Sequence, residues 1–170
     1  EVGPAPLYLQ ADATDRVALE RARVAIHQRF GAIHGVVHSA IVLGDKSIRN
    51  MEPGRFMASL QAKVDTSVRL AQVFGQEPLD FVVFFSSLQS FGREPGQSNY
   101  AAGCTFKDAF ALRLGEVLSC PVKIMNWGYW GSVGVVADSR YRERMAAVTA
   151  ELAVALQAAF DDARRRVGDA

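Results

Sequence analysis

At 170 residues the chain is long enough for one domain with a core of its own. Its 49% apolar and 22% charged residues are a globular mixture, not a disordered or fibrous one. A net charge of +1, from 19 basic and 18 acidic residues, leaves no nucleic-acid footprint, and no apolar run reaches membrane-spanning length.

Leu7 to Ala11 is a short strand candidate, and Asp12 and Thr14 after it suit a helix start. From Asp15 to Phe30 apolar residues fall at Val17, Leu19, Val24, Ile26 and Phe30 among charges, the pattern of an amphipathic helix that Gly31 ends. Ile33 to Ala40 is a near-continuous apolar run, expected to be a strand buried on both faces. His27 falls on the helix surface, and His34 and His38 read as satisfied structural histidines. A loop, Ile41 to Asn50, leads to a long helix from Glu52-Pro53 to Phe74, with proline in its first turn. Lys63 sits in mid-helix among Met57, Leu60, Val64 and Val68, where a lysine usually snorkels to water. Leu79 to Phe85 is the third strand, Ala101 to Leu118 a helix, and Pro121 to Met125 the fourth strand. Asn126 to Val136 is an aromatic, glycine-rich loop. Tyr141 to Met145 and Glu151 to Arg166 read as helices, and Arg164-Arg165-Arg166 as a solvated face.

Strands alternating with helices predict a doubly wound parallel sheet of Rossmann type in a single domain. A dinucleotide fold carries G-x-G-x-x-G after its first strand, and no stretch here has it. Gly128, Gly131 and Gly134 lack the close first pair and follow the last strand. The expectation is a Rossmann-like sheet lacking its N-terminal glycine-rich β-α unit. Cys104 and Cys120 have neither metal-ligand nor disulfide-framework spacing, and EVGPAP is no signal peptide, so the expected location is the cytoplasm.

The stretch Phe81 to Phe110, FVVFFSSLQSFGREPGQSNYAAGCTFKDAF, is where chemistry is expected. An apolar strand ends in Ser86-Ser87, a loop with Gly92, Pro95 and Gly96 follows, and Asn99-Tyr100 opens a helix. Ligands of parallel sheets bind beyond the carboxyl ends of the strands. A serine there, facing a tyrosine on the next helix's first turn, offers two hydrogen-bond donors to one substrate oxygen. A buried strand with a polar edge and a core tyrosine would give the same pattern.

GVVHSAIVLGD, AKVD, LDFVVFFSS, PGQSNYAAG and NWGYWG, in this order, resemble the catalytic half of a ketoreductase domain of modular polyketide synthases, members of the short-chain dehydrogenase/reductase superfamily. SFGREPGQSNYAAGCTFKDAFA and KIMNWGYWG most resemble domains of synthases that use separate acyltransferases. The likeness runs from Leu7 to Met145, so residues 1–146 match well and 147–170 form a tail helix. It implies Tyr100 as general acid, Ser87 as second oxyanion donor and Lys63 as helper. Tyr100 lies thirteen positions after Ser87 and thirty-seven after Lys63, as the family requires. The family's fourth member is asparagine four residues after the tyrosine, and here that position is Cys104, a weak hydrogen-bonding group.

The resemblance further implies NADPH as cofactor, with its pyrophosphate loop outside this chain. Asp12 then faces the adenine, Ser39 and Ala40 the ribose, Lys63 and Tyr100 the nicotinamide end, and Trp127, Gly128 and Val133 the nicotinamide and substrate. No metal is implied. The substrate is a β-ketoacyl group on the phosphopantetheine of an acyl carrier protein, and the other partners are the N-terminal half of the ketoreductase and further synthase domains. Stereochemical positions are Asp45 of Leu43-Gly44-Asp45, Leu88 and Gln97. Asp45 is present, and Gly92 stands where the opposite type has tryptophan, so a B-type outcome, a D-hydroxyl, is expected. Ala102, where epimerising members carry proline, implies no α-epimerisation. A non-catalytic, structural ketoreductase-like portion is the alternative, favoured by Cys104 and the absent glycine loop. A serine hydrolase built on Ser87 and His38 lacks the G-x-S-x-G elbow.

Overall fold

A computed structural model describes residues 5–92, 94–128 and 143. Contacts divide the chain into a unit over Glu1–Trp127 and a second over Gly128–Ala170, of which only Gly128 and Glu143 are described. The first unit runs α1 (Arg16–Phe30), β1 (Gly35–His38), α2 (Pro53–Phe74), β2 (Phe81–Ser87), α3 (Ser98–Gly115) and β3 (Val122–Trp127). Short 3-10 turns lie at Ile48–Asn50 and Leu88–Ser90. The three strands are parallel in the order β1-β2-β3, each joined to the next by a helix, as in one half of a doubly wound sheet. His38 stands opposite Phe84 and Phe84 opposite Ile124, so the carboxyl ends of all three strands share one edge.

Residues of β2 alternate, with Val82, Phe84 and Ser86 buried beneath the helices. Val82, Phe84 and Ala111 of α3 form one apolar cluster, with Phe110, Leu114, Leu118, Val122 and Ile124 around it. A second cluster joins Leu19 of α1, Ile33, Val73 and Phe74. It docks α1 on the carboxyl-terminal end of α2. The helices α2 and α3 pack on each other, and that seam carries the site.

Local chemistry sets the ends of the elements. Asp15 caps α1 by accepting a hydrogen bond from Val17 N (2.8 Å). Gly31 stops it at φ 83°, a conformation that costs glycine little, and its N–H returns to the His27 carbonyl. Pro53 opens α2, where an N–H would lack a partner anyway.

Four expectations change. Leu7 to Ala11 is exposed chain without a ladder, because no described strand lies beside it. On α1 only Leu19 is buried, while Val17, Val24 and Phe30 are exposed, so the amphipathic pattern is only partly used. In β1 Val37 is 50% exposed, since among the described residues helices cover one face of the sheet only. Asn126 and Trp127 are strand, not loop, and α3 begins at Ser98 and ends at Gly115. The helices expected at Tyr141–Met145 and Glu151–Arg166 lie outside the described residues, apart from Glu143.

His27 is more than a surface residue. Its ring meets the Gly31 carbonyl (2.9 Å) and both Glu77 oxygens (3.0 Å), and Arg23 meets Glu77 at 2.9 Å. The Gly31 carbonyl and then Glu77 raise the His27 pKa, while His27 and then Arg23 lower that of Glu77. The raised histidine stabilises fully below its ordinary 6.5 and loses this as pH rises through its folded value. The lowered glutamate stabilises fully above its ordinary 4.5 and loses this as pH falls through its folded value. Thermal melts of the protein carrying this sequence should therefore show a contribution that is whole between those two values and declines on either side. Glu77→Gln should flatten that profile, and an unchanged profile would disprove the link. His34, by contrast, is an exposed residue 3.4 Å from Asp80 and not a core histidine.

Candidate active site

Lys63 does not snorkel. It is 2% exposed, in the α2–α3 seam, and its Nζ lies 3.6 Å from the centroid of the Tyr100 ring. Gly103, one turn after Tyr100, makes room for it: a Cβ there would stand 2.6 Å from Lys63 Cδ. A buried ammonium over an aromatic face gains roughly 2 kcal/mol or more, which offsets part of its desolvation. Desolvation nonetheless lowers the Lys63 pKa, against Cys104 and Asp45, which raise it. Among the described residues its Nζ has no hydrogen-bond partner, so its N–H donors are available to a ligand.

Ser87 is the last residue of β2, opposite Trp127 at the end of β3. Its backbone is fixed by a bracket. The Ser87 carbonyl accepts from Ser90 Oγ (2.9 Å) and Asn126 Nδ2 (3.2 Å), and the same Nδ2 reaches Ser90 Oγ (3.0 Å) and Asp108 Oδ2 (2.9 Å). Ser87 Oγ accepts from Gln89 N at 3.2 Å, which leaves the hydroxyl proton free to be donated. Trp127 packs edge-on against Phe85, ring centroids 5.3 Å apart.

The stereochemical positions come partly together. Gln97, the N-cap residue of α3, donates from Nε2 to Asp45 Oδ2 at 3.0 Å and so ties the loop after β1 to the Tyr100 helix. Leu88 is exposed on the 3-10 turn beyond Ser87. Ser39 and Ala40 follow β1 on the same sheet edge as Ser87. Asp12 lies in the turn before α1, exposed, its Oδ1 accepting from Thr14 N and Oγ1 (both 2.8 Å), which lowers its pKa. Gly128 is exposed just past β3, and Val133 lies outside the described residues. His38 is buried with its Nε2 3.4 Å from the Lys63 carbonyl, and burial brings its pKa down to about 4. That is a structural role.

Residues 5–132 match the KR domain family. The chain is 60% identical over 145 residues to polyketide synthase PksN of Bacillus subtilis (strain 168), covering 85% of this chain and 3% of that protein. The chain belongs to the KR domain family of polyketide synthases. Among solved structures, a ketoreductase domain from the bacillaene assembly line superposes with a TM-score of 0.75 at 29% identity, over 84% of this chain and 36% of that one. A Serratia marcescens short-chain dehydrogenase/reductase variant shares the fold, with a TM-score of 0.69 at 19% identity over 78% of this chain and 58% of that one.

In the KR chain, Cys104 occupies the centre of the buried seam. Its thiol is fully buried, and burial raises its pKa against the pull of Lys63, Lys107, Tyr100 and Ser86, so it stays protonated. Two residues with work at the site went unread in the sequence. Lys107 is 1% exposed and donates from Nζ to the Phe85 carbonyl at 2.8 Å. Its signal was there, because Tyr100, Cys104 and Lys107 are spaced i, i+4, i+7 on one helical face. Asn126, read as loop, holds Ser87 from the neighbouring strand; a pairing across strands leaves no mark in local sequence.

Proposed function

We propose that this chain carries the reducing centre of an NADPH-dependent ketoreductase acting on β-ketoacyl groups held by an acyl carrier protein, in the cytoplasm. The chain spans about 3% of the length of PksN, so partner domains and substrate belong to this proposal. The ketoreductase portion is assigned to residues 1–146, of which those after Gly128 other than Glu143, like 147–170, lie outside the described residues. The observation that carries the reading is the buried Lys63 ammonium over the Tyr100 ring, beside the strand that ends in Ser87.

The residues fit a nicotinamide nucleotide in part. Lys63 Nζ, buried and with no hydrogen-bond partner among the described residues, suits the ribose hydroxyls, and Ser39, Ala40 and Trp127 stand at the shared sheet edge. Asp12 fits less well toward adenine, since one carboxylate oxygen is taken by Thr14. The pyrophosphate requires backbone N–H groups of a glycine-rich loop, and this sequence holds no such loop. When bound, the cofactor supplies the hydride.

The chain's own residues manage the oxygen. As negative charge builds there, the Tyr100 hydroxyl transfers its proton and the Ser87 hydroxyl donates a hydrogen bond. Lys63 holds positive charge against the tyrosine face as the phenol gives up that proton. Gly103 and the Asn126 bracket keep the two donors in place without moving at the moment of reaction. Cys104, a protonated thiol, stands where the family's asparagine would be. A structural, non-catalytic role is the second reading, and Cys104 is what favours it.

The Asp45–Gln97 tie and Gly92 support B-type delivery. Incubation of the protein carrying this sequence with NADPH and a β-ketoacyl thioester should give the D-alcohol with the α-centre unchanged. Chiral chromatography showing mainly the L-alcohol would refute the B-type assignment.

A further inference from the structure

Asp108 reaches Ser87 by way of Asn126. It lies two turns after Tyr100 on α3, and its Oδ2 accepts from Asn126 Nδ2 of β3 at 2.9 Å. The same Nδ2 lies 3.2 Å from the Ser87 carbonyl oxygen and 3.0 Å from Ser90 Oγ. An amide nitrogen carries two protons, and here three acceptors surround it. Ser90 resolves the excess, because its own hydroxyl proton goes to the Ser87 carbonyl at 2.9 Å. One amide proton therefore belongs to the Asp108 carboxylate, and the other is shared between Ser90 Oγ and the Ser87 carbonyl.

This leaves the Asn126 amide one workable orientation. A carboxylate and a backbone carbonyl accept and do not donate, so turning the amide over would set its oxygen against both. With the carboxylate gone, the turned amide becomes competitive. Its oxygen would take the Ser90 hydroxyl proton, and the Ser87 carbonyl would lose both of its side-chain donors. Asp108 is also poorly provided for where it stands. Its Oδ1 is buried and has no hydrogen-bond partner among the described residues. An orphaned buried oxygen costs stability, so packing alone does not account for a carboxylate at this position.

We propose that Asp108 is a positioning residue of the reductase site: by fixing the Asn126 amide it holds the Ser87 carbonyl, and with it the hydroxyl on the same residue. This rests on the ketoreductase reading. A hydrogen bond to a developing negative charge helps only if its donor is already in place. The contacts described here reach the Ser87 backbone rather than a substrate, so loss of Asp108 falls on kcat and leaves KM nearly unchanged.

The test uses three versions of the protein that carries this sequence. Asp108→Ala removes the acceptor. Asp108→Asn keeps its shape and one acceptor oxygen. The swapped pair, Asp108→Asn with Asn126→Asp, rebuilds the bond between α3 and β3 with donor and acceptor reversed, but sets a carboxylate beside the Ser87 carbonyl. Steady-state kinetics and thermal melts are joined by amide hydrogen exchange of the Ser87–Ser90 turn, where Gln89 N donates to Ser87 Oγ. Asp108→Ala should lower kcat about 10- to 10²-fold, as a displacement approaching 1 Å does, and speed exchange in the turn. Asp108→Asn should fall between it and wild type. The swapped pair should regain the stability that Asp108→Ala loses, but not kcat. Wild-type kcat in folded Asp108→Ala, or a swapped pair that recovers kcat together with stability, overturns the proposal. Should Asp108→Ala fail to fold, the other two versions decide it. If no version, the unaltered protein included, reduces a ketone, the reductase reading has failed. Exchange then decides the bracket alone: faster exchange in Asp108→Ala upholds it, and unchanged exchange overturns it.

Discussion

Tyr100→Phe should reduce turnover of a β-ketoacyl thioester by roughly 10²- to 10⁴-fold, the range for loss of a positioned general acid. The ring stays, so the Lys63 ammonium keeps its aromatic partner and the α2–α3 seam keeps its packing. KM should therefore change little, and the folded state should persist in thermal melts. The same substitution tests the non-catalytic reading, because a structural tyrosine would tolerate the loss of one oxygen with near-wild-type turnover. Turnover within a few-fold of wild type would remove Tyr100 from the mechanism.

Gly103→Ala is the second large effect, and two opposing terms decide its sign. Alanine is better than glycine in a helix interior by about 1 kcal/mol. The added Cβ, however, would lie 2.6 Å from Lys63 Cδ and 3.4 Å from its Cβ and Cγ, inside a closed seam. Lys63 is buried and cannot swing to solvent, so the clash must move the lysine or part the helices. Overpacking of this kind costs about 1–3 kcal/mol, which exceeds the helix gain. The expected result is a small net loss of stability with a much larger loss of kcat, about 10²-fold, since a misplacement near 1 Å suffices for that. A variant more stable than wild type with intact kcat would show that Lys63 position is not critical.

Much of this was legible in the chain. Periodicity and punctuation locate α2 from Pro53 to Phe74, because proline in the first turn and an apolar stripe are local signals. The strand ending in Ser86-Ser87 and the helix opening near Tyr100 are equally local, and the ordered motifs led from them to the KR family. What stayed hidden depends on contacts between distant segments. Leu7 to Ala11 has strand composition but no neighbour in the described sheet, and pairing, not composition, makes a strand. Lys63 looks like an ordinary snorkelling lysine until Gly103, forty positions away, is seen to open the space beneath it. Lys107 was passed over because a lysine at a core position contradicts the apolar pattern by which cores are read. Local rules fail most often where function imposes its own, and the misread residues in this seam are its two lysines.

The most direct test follows hydride into product. The protein carrying this sequence is incubated with NADPH bearing deuterium in the transferable position at C4 and with a β-ketoacyl thioester, beside a Lys63→Met version. Mass spectrometry then locates the label. The account predicts one deuterium on the β-carbon of a hydroxyacyl product from the unaltered protein, and a marked loss of that product from the Lys63→Met version. Recovery of the ketone unchanged from the unaltered protein, or equal labelling by both, would contradict it.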